Sequence, residues 1–200
     1  MQREEVRGLP KKAWKKIAVV FPGIGYHRDK PLLYHACRLA GQSGYEIVCA
    51  QYQTLPSGVK GNPQKMREAF EIALTQVEEQ LADCDFSSCD KVLFVSKSIG
   101  TAVAAAYDAR RRIGAGHVYY TPVAESFQAM GGEGIVFHGT ADDWAQTEVI
   151  RAECEKRGLT LFVTQGANHS METGNVLADL DILRQIMEET DRYIRSFDRR

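Results

Sequence analysis

Three side chains that can carry out nucleophilic catalysis together each follow a short apolar run of the chain: Ser98, Asp142 and His169. A serine hydroxyl is a weak nucleophile at its ordinary pKa, so it needs a base to take its proton. An imidazole can accept that proton, and a carboxylate can fix the imidazole tautomer and stabilise its cation. The residue types therefore predict nucleophilic attack by Ser98, with His169 as the base and Asp142 as its partner.

The serine stands at the centre of the pentapeptide S-K-S-I-G, residues 96–100, where a strand pattern gives way to a helix pattern. A sharp turn of this kind accepts only small side chains two positions before and two after its centre. Ser96 and Gly100 meet that demand. The turn would hold the Ser98 hydroxyl at the N-terminus of a helix, where backbone N–H groups favour a developing negative charge. The alternative is that Ser98 simply caps the helix, a position that serine favours.

The acidic partner has two candidates, because Asp142 and Asp143 both follow the apolar run 135–138. Either carboxylate could serve as the partner of His169. Asp143 is suited to capping a helix that begins near Trp144, but an assignment shifted by one residue stays open.

Strand patterns alternate with helix patterns along the chain. Short apolar runs predict strands at 17–21, 45–52, 91–96, 117–120, 135–138 and 159–164. Apolar residues at spacings of three and four predict helices at 31–40, 63–81, 99–112, 144–157 and 176–197. This alternation predicts an α/β fold of about six mostly parallel strands with helices on both faces. Ligands of such sheets bind beyond the carboxyl ends of the strands, which is where Ser98, Asp142 and His169 lie.

The sharp turn at Ser98 and the chain order Ser98, Asp142, His169 together resemble the α/β-hydrolase superfamily, whose signature is G-x-S-x-G. Ser96 replaces the first glycine and keeps its small size. The resemblance covers residues 16–197 and implies an α/β-hydrolase fold. Only residues 121–134 separate two strands where relatives often insert a lid, so we expect no lid domain. The chain looks like small bacterial serine hydrolases of the dienelactone-hydrolase-like kind, with serine in place of their cysteine nucleophile.

The same resemblance implies an oxyanion hole, a pair of N–H groups that stabilises the negative charge of the reaction intermediate. One donor is expected in the loop after the first strand, where Gly23 and Gly25 let the backbone approach a substrate carbonyl closely. We expect the N–H of Ile24 there, with Gly25 or Tyr26 as alternatives, and the N–H of Ile99 directly after the nucleophile.

Several residues near these loops are candidates for substrate binding: Gly23, Gly25, Tyr26, Lys97, Trp144 and Met171. An outward-pointing side chain explains Lys97 equally well. Packing between loop and helix explains Trp144 and Met171 equally well.

The resemblance implies a serine hydrolase of the carboxylesterase or thioesterase kind that acts on small acyl substrates through an acyl-enzyme. An amidase or peptidase with the same triad, or a non-catalytic binding module with the hydrolase fold, are the alternatives. Neither a metal ion nor an organic cofactor is expected.

Composition sets the remaining expectations. Two hundred residues suit one domain, which we place at 16–200 after an N-terminal extension at 1–15. Lysine plus arginine number 25 against 26 acidic residues, so neither nucleic acid nor a membrane is an expected partner. Five cysteines without a C-x-x-C pair indicate reduced thiols and a cytoplasmic protein. A monomer or homodimer is expected.

Overall fold

A computed structural model of the chain describes residues 15–200, and six strands in that range form one fully parallel sheet. The strands are β1 (Lys16–Phe21), β2 (Glu46–Cys49), β3 (Lys91–Lys97), β4 (Gly116–Tyr120), β5 (Ile135–Gly139) and β6 (Thr160–Thr164). They lie in the order β2-β1-β3-β4-β5-β6. The predicted α/β class and parallel sheet are confirmed. Of the predicted N-terminal extension, residues 1–14 lie outside the described part of the chain.

Helices cover both faces of the sheet. They are α1 (Pro31–Gln42), α2 (Pro63–Gln80), α3 (Ile99–Arg111), α4 (Thr147–Arg157) and α5 (Val176–Asp198). Side chains of β3 contribute to the hydrophobic cores on both faces of the sheet, because successive side chains of a strand point to opposite faces. Leu93 and Val95 pack in the core with α1 and α5, whereas Val92 and Phe94 pack in the core with α2 and α3. Because helices cover both faces of the sheet, β3 has apolar side chains at successive positions rather than at alternate ones.

Two predicted boundaries were wrong by three residues each, and several others differ by one or two. The strand predicted at 45–52 ends at Cys49, and the helix predicted from Trp144 begins at Thr147. Two other helix starts follow their capping residues, because the side chains of Asn62 and Asn175 accept N–H groups of the first turns of α2 and α5.

The connection between β4 and β5 contains a single 3-10 helix, Ala124–Gln128, and no lid. The direction in which strands are added changes between β1 and β3, because β2 lies on one side of β1 and β3 lies on the other. Such a switch point is the usual ligand position in an open parallel sheet. Within residues 15–200, no helix is both long and apolar enough to cross a membrane.

Candidate active site

A continuous hydrogen-bonded chain joins Ser98, His169 and Asp142 at the carboxyl edge of the sheet. His169 Nε2 lies 2.8 Å from Ser98 Oγ. His169 Nδ1 lies 2.9 and 2.8 Å from the two carboxylate oxygens of Asp142. The three residues come from loops that follow β3, β5 and β6, and 71 positions separate the serine from the histidine. The structure therefore brings the three predicted residues together in the geometry of a nucleophile, a base and an orienting acid.

The turn at residues 96–100, which we call the elbow, holds Ser98 in a strained backbone conformation, with φ 55° and ψ −127°. Residues other than glycine rarely adopt a positive φ, so neighbouring contacts must hold it there. The Ser98 N–H donates to the carbonyl of Tyr120 at 3.0 Å. The Ser98 carbonyl accepts the Thr101 hydroxyl at 2.6 Å. Together these bonds fix the turn that presents the Ser98 hydroxyl.

The small residues of the elbow are required by close packing. A Cβ atom on Gly100 would lie 2.3 Å from the carbonyl oxygen of Phe21 and 2.4 Å from that of Pro22. Helix α3 thus begins against the end of β1. Ser96 is fully buried, and its hydroxyl donates to the Val118 carbonyl at 3.3 Å. A larger side chain at either position would displace the helix that carries Ser98.

The two adjacent aspartates have different surroundings. The Asp142 side chain is fully buried, and it accepts the Trp144 N–H at 2.9 Å besides its bonds to His169. Asp143 is two-thirds exposed and forms an ion pair with Lys60. The structure therefore places Asp142, not Asp143, against the imidazole.

Packing around the imidazole favours its neutral form. The Trp144 ring stacks on the His169 ring with centroids 5.1 Å apart, and the Thr121 hydroxyl donates to the His169 carbonyl at 3.0 Å. Burial lowers the pKa of His169 below its ordinary 6.5, although the hydrogen bond to Asp142 opposes that shift. At neutral pH His169 is thus uncharged and able to accept a proton.

A second histidine lies behind the acid. His138 is fully buried, and its Nε2 contacts the Thr147 hydroxyl at 2.9 Å. Its Nδ1 has no hydrogen-bond partner in the described part of the chain and lies 3.9 Å from an Asp142 oxygen. Burial lowers the pKa of His138, which keeps this second imidazole neutral as well.

Two backbone hydrogen bonds fix the loop after β1 and leave the N–H groups at its centre without an acceptor. The N–H of Gly23 donates to the Tyr26 carbonyl at 3.1 Å, and the N–H of Tyr26 donates to the Gly23 carbonyl at 3.2 Å. Among residues 15–200, the N–H groups of Ile24, Gly25 and Ile99 donate to no acceptor, whereas that of Tyr26 is engaged. Ile24, Gly25 and Ile99 line the same cavity as Ser98. Free donors from two loops beside a serine hydroxyl are the arrangement that an oxyanion hole requires.

This cavity has a volume of about 200 Å³. Its walls are formed by Ile24, Gly25, Tyr26, Met66, Lys97, Ser98, Ile99, Trp144, His169 and Ser170. The wall therefore includes Gly25, Tyr26, Lys97 and Trp144 of the predicted substrate-binding set. Gly23 lies under the nucleophile, because a Cβ atom there would come within 3.1 Å of the Ser98 Cβ.

Met171 is placed differently from its prediction. It is 2% exposed and packs in the core with α1 and α5 rather than on the cavity wall. Sequence reasoning missed Met66 and Ser170. Met66 reaches the cavity from α2, a contact between distant parts of the chain that no local pattern shows. Ser170 directly follows His169, and this adjacency is the one feature of the sequence that indicates its place at the cavity.

Lys97 is buried instead of pointing outward. Its side chain is 1% exposed, and its Nζ lies 5.0 Å from the centroid of the Tyr26 ring. Burial lowers the pKa of Lys97 to about 7. The Tyr26 hydroxyl accepts the Leu32 N–H at 3.2 Å, and burial raises the pKa of Tyr26 to about 12. An ionisable cation therefore lies in the wall next to the nucleophile.

Solved structures share this architecture across nearly the whole chain. A lidless α/β serine hydrolase of Xanthomonas campestris, XC6422, superposes with a TM-score of 0.61, covering 94% of this chain and 85% of that one at 14% identity. The chain has the α/β-hydrolase fold. Within this fold it also resembles the Pyrococcus furiosus esterase Pf2001, with a TM-score of 0.65 at 11% identity over 92% of this chain and 84% of that one.

A further structural neighbour is Est1E of Butyrivibrio proteoclasticus, which was solved with ferulic acid bound. It has a TM-score of 0.70 at 10% identity and covers 94% of this chain and 92% of that one. No protein-family model matches the chain, and no curated protein matches it. At these identities the likeness describes the fold, so the chemistry rests on the site itself.

Proposed function

We propose that this protein is a serine hydrolase that cleaves small ester or thioester substrates through an acyl-enzyme intermediate. The observation that carries the proposal is the unbroken hydrogen-bonded chain from Ser98 through His169 to Asp142. The likeness to the Pyrococcus furiosus esterase Pf2001 supports an ester as the bond that is broken.

The first half of the proposed reaction forms the acyl-enzyme. Ser98 Oγ attacks the substrate carbonyl carbon while His169 Nε2 takes the hydroxyl proton, and the N–H groups of Ile24 and Ile99 stabilise the resulting oxyanion. The carbon–oxygen or carbon–sulfur bond then breaks, and His169 gives its proton to the leaving alcohol or thiol. Asp142 stabilises the transient imidazolium and holds Nδ1 protonated.

The second half releases the acid. His169 takes a proton from water as that water attacks the acyl carbonyl, and Ser98 regains its proton when the ester bond to the enzyme breaks. In the part of the chain that the structure describes, no lid covers the site, and the cavity of about 200 Å³ holds only a small acyl group. Short acyl chains are therefore the substrates that we expect.

Hydrolysis of matched chromogenic substrates tests this function. We expect the purified protein to cleave p-nitrophenyl butyrate and the corresponding thioester, and to cleave a p-nitroanilide much more slowly. Ser98→Ala should lower kcat/KM for the ester by about ten-thousand-fold or more. The exposed Ser57, whose hydroxyl has no partner within residues 15–200, provides the control, and Ser57→Ala should keep wild-type rates.

The other outcomes separate the alternatives. A preference for the anilide would indicate an amidase. An equal rate for wild type and Ser98→Ala, or none from correctly folded protein, would contradict the proposal and favour a binding module.

A further inference from the structure

The ammonium group of Lys97 is buried beside the nucleophile without a hydrogen-bonding partner. Within the described part of the chain no oxygen accepts a hydrogen bond from its Nζ. The Tyr26 ring centroid lies 5.0 Å away, and the Asp142 carboxylate attracts the ammonium electrostatically without a hydrogen bond. A lysine carries three donors, and lysines are almost never fully buried unless they are paired. A ring face attracts a cation but accepts none of these hydrogen bonds in the usual sense.

The neighbouring acceptors are already engaged. Both oxygens of Asp142 bind His169, and one of them also accepts the Trp144 N–H. The hydroxyl oxygen of Tyr26 accepts the Leu32 N–H. The donors of Lys97 are therefore left for a molecule that enters the cavity.

The charge of the cavity wall points to the sign of that molecule. The residues that line it include Lys97 and His169 but no aspartate or glutamate. Two exposed acids lie outside this wall: Asp143 is paired with Lys60, and Glu172 acts electrostatically on Tyr26. A small anion would supply the hydrogen-bond acceptors that the Lys97 ammonium lacks.

We propose that Lys97 is a specificity-determining residue that recognises a carboxylate on the substrate, so that the preferred substrates are small esters or thioesters carrying a carboxylate. This inference rests on the proposed function, because it names the substrate class of the same site. One ammonium balances one negative charge, which fits a carboxylate better than the nearly doubly charged phosphate group. The small volume of the cavity requires the carboxylate to lie a few bonds from the scissile carbonyl.

The ionisation of Lys97 gives the recognition a pH dependence. The charged and titratable groups that act on Lys97 or face it across the cavity are Asp142, His169 and Tyr26. Because burial lowers the pKa of Lys97 to about 7, the free site loses its positive charge as the pH rises through that value. The preference for an anionic substrate should therefore be strongest below pH 7 and decline above it.

A pair of esters that differ in one charged group tests the proposal. Monoethyl succinate carries a carboxylate, and ethyl valerate is an uncharged ester of similar size; both are followed by proton release in a pH-stat. The quantity of interest is the ratio of kcat/KM for the anionic ester to that for the neutral one. Lys97→Met should lower this ratio by about tenfold to a hundredfold, the worth of one charge-assisted hydrogen bond.

Two further variants control for charge and for burial. Lys97→Arg keeps a cation, so the ratio should stay within a few-fold of wild type and no longer fall between pH 6 and 9, because arginine does not deprotonate there. Lys91 is the matched control, since its Nζ lies 4.9 Å from the Phe197 ring at the opposite end of β3. Lys91→Met should leave the ratio unchanged. An unchanged ratio in Lys97→Met overturns the proposal.

A binding measurement separates this inference from the proposed function. Titration calorimetry of monoethyl succinate into Ser98→Ala, and into Ser98→Ala with Lys97→Met, reports recognition without turnover. Tenfold weaker binding in the double variant supports the role of Lys97 even if wild type hydrolyses no ester. Equal binding in the two proteins, beside active hydrolysis by wild type, overturns the role of Lys97 and keeps the hydrolase.

Discussion

At the scale of single residues, the site depends on protonation states that burial sets. Burial keeps His169 neutral at pH 7, whereas the buried carboxylate of Asp142 is held by the His169 ring and the Trp144 N–H. Lys97 shows the cost of the same environment, because desolvation disfavours its charged form. The residue that we propose for substrate recognition is therefore one whose charge works against the stability of the fold.

This conflict predicts that Lys97→Met stabilises the protein. The pKa of Lys97 falls from its ordinary 10.5 to about 7 on folding, so between these values the unfolded chain binds more protons than the folded one. Stability of the wild type should therefore rise with pH in this range, and the cost of the buried charge is largest below pH 7. We expect Lys97→Met to gain on the order of 1–4 kcal/mol at pH 6, with a smaller gain at pH 9.

Urea unfolding of wild type, Lys97→Met and the control Lys91→Met at both pH values measures this difference. A loss of stability in Lys97→Met at pH 6, or an equal gain at both pH values, would show that the buried charge of Lys97 does not destabilise the folded protein.

At the scale of elements, the approach of α3 to β1 positions the nucleophile. A methyl group on Gly100 would meet the backbone oxygens of Phe21 and Pro22, neither of which can rotate away. We expect Gly100→Ala to cost about 1–3 kcal/mol and to lower activity strongly, because α3 and Ser98 must shift. Gly41 lies in α1 with nothing within 4 Å of a Cβ atom. Gly41→Ala should therefore gain about 0.5–1 kcal/mol with unchanged activity.

Thermal or urea unfolding of the two variants, with ester hydrolysis beside it, checks this contrast. If Gly100→Ala were as stable and as active as the wild type, the close packing at the elbow would not be what limits that position.

The sequence predicted the order and type of the elements because each carries a strong periodic pattern between clear breaks. It failed where tertiary contacts decide. Helix α4 begins at Thr147 because the N–H of Trp144 binds the Asp142 side chain before the helix starts. Strand β2 ends at Cys49, where its pairing with β1 stops.

The proximity of the three triad candidates was predictable from the sequence, but the wall of their cavity was not. Ser98, Asp142 and His169 follow strand ends, and the carboxyl ends of parallel strands share one edge of the sheet. The burial of Lys97 depends on the loop that folds Tyr26 over it, and Met66 arrives from a distant helix. No spacing along the chain encodes either contact.

At the scale of the whole molecule, one sheet edge collects every group that the proposed reaction needs. The strand order puts the loop after β1 beside the elbow after β3, so two N–H groups from separate loops border the same small cavity. Within residues 15–200 no lid lies over this edge. The proposed reaction therefore needs Ser98 to be activated by the loops that surround it.

Labelling with a fluorophosphonate, followed by mass mapping of the modified peptide, tests this central claim most directly. Wild-type protein should carry the label on Ser98, Ser98→Ala should carry none there, and His169→Ala should react at a greatly reduced rate because the base is missing. Absence of labelling in correctly folded wild-type protein, or equal labelling of Ser98 in His169→Ala, would contradict an activated serine at this site.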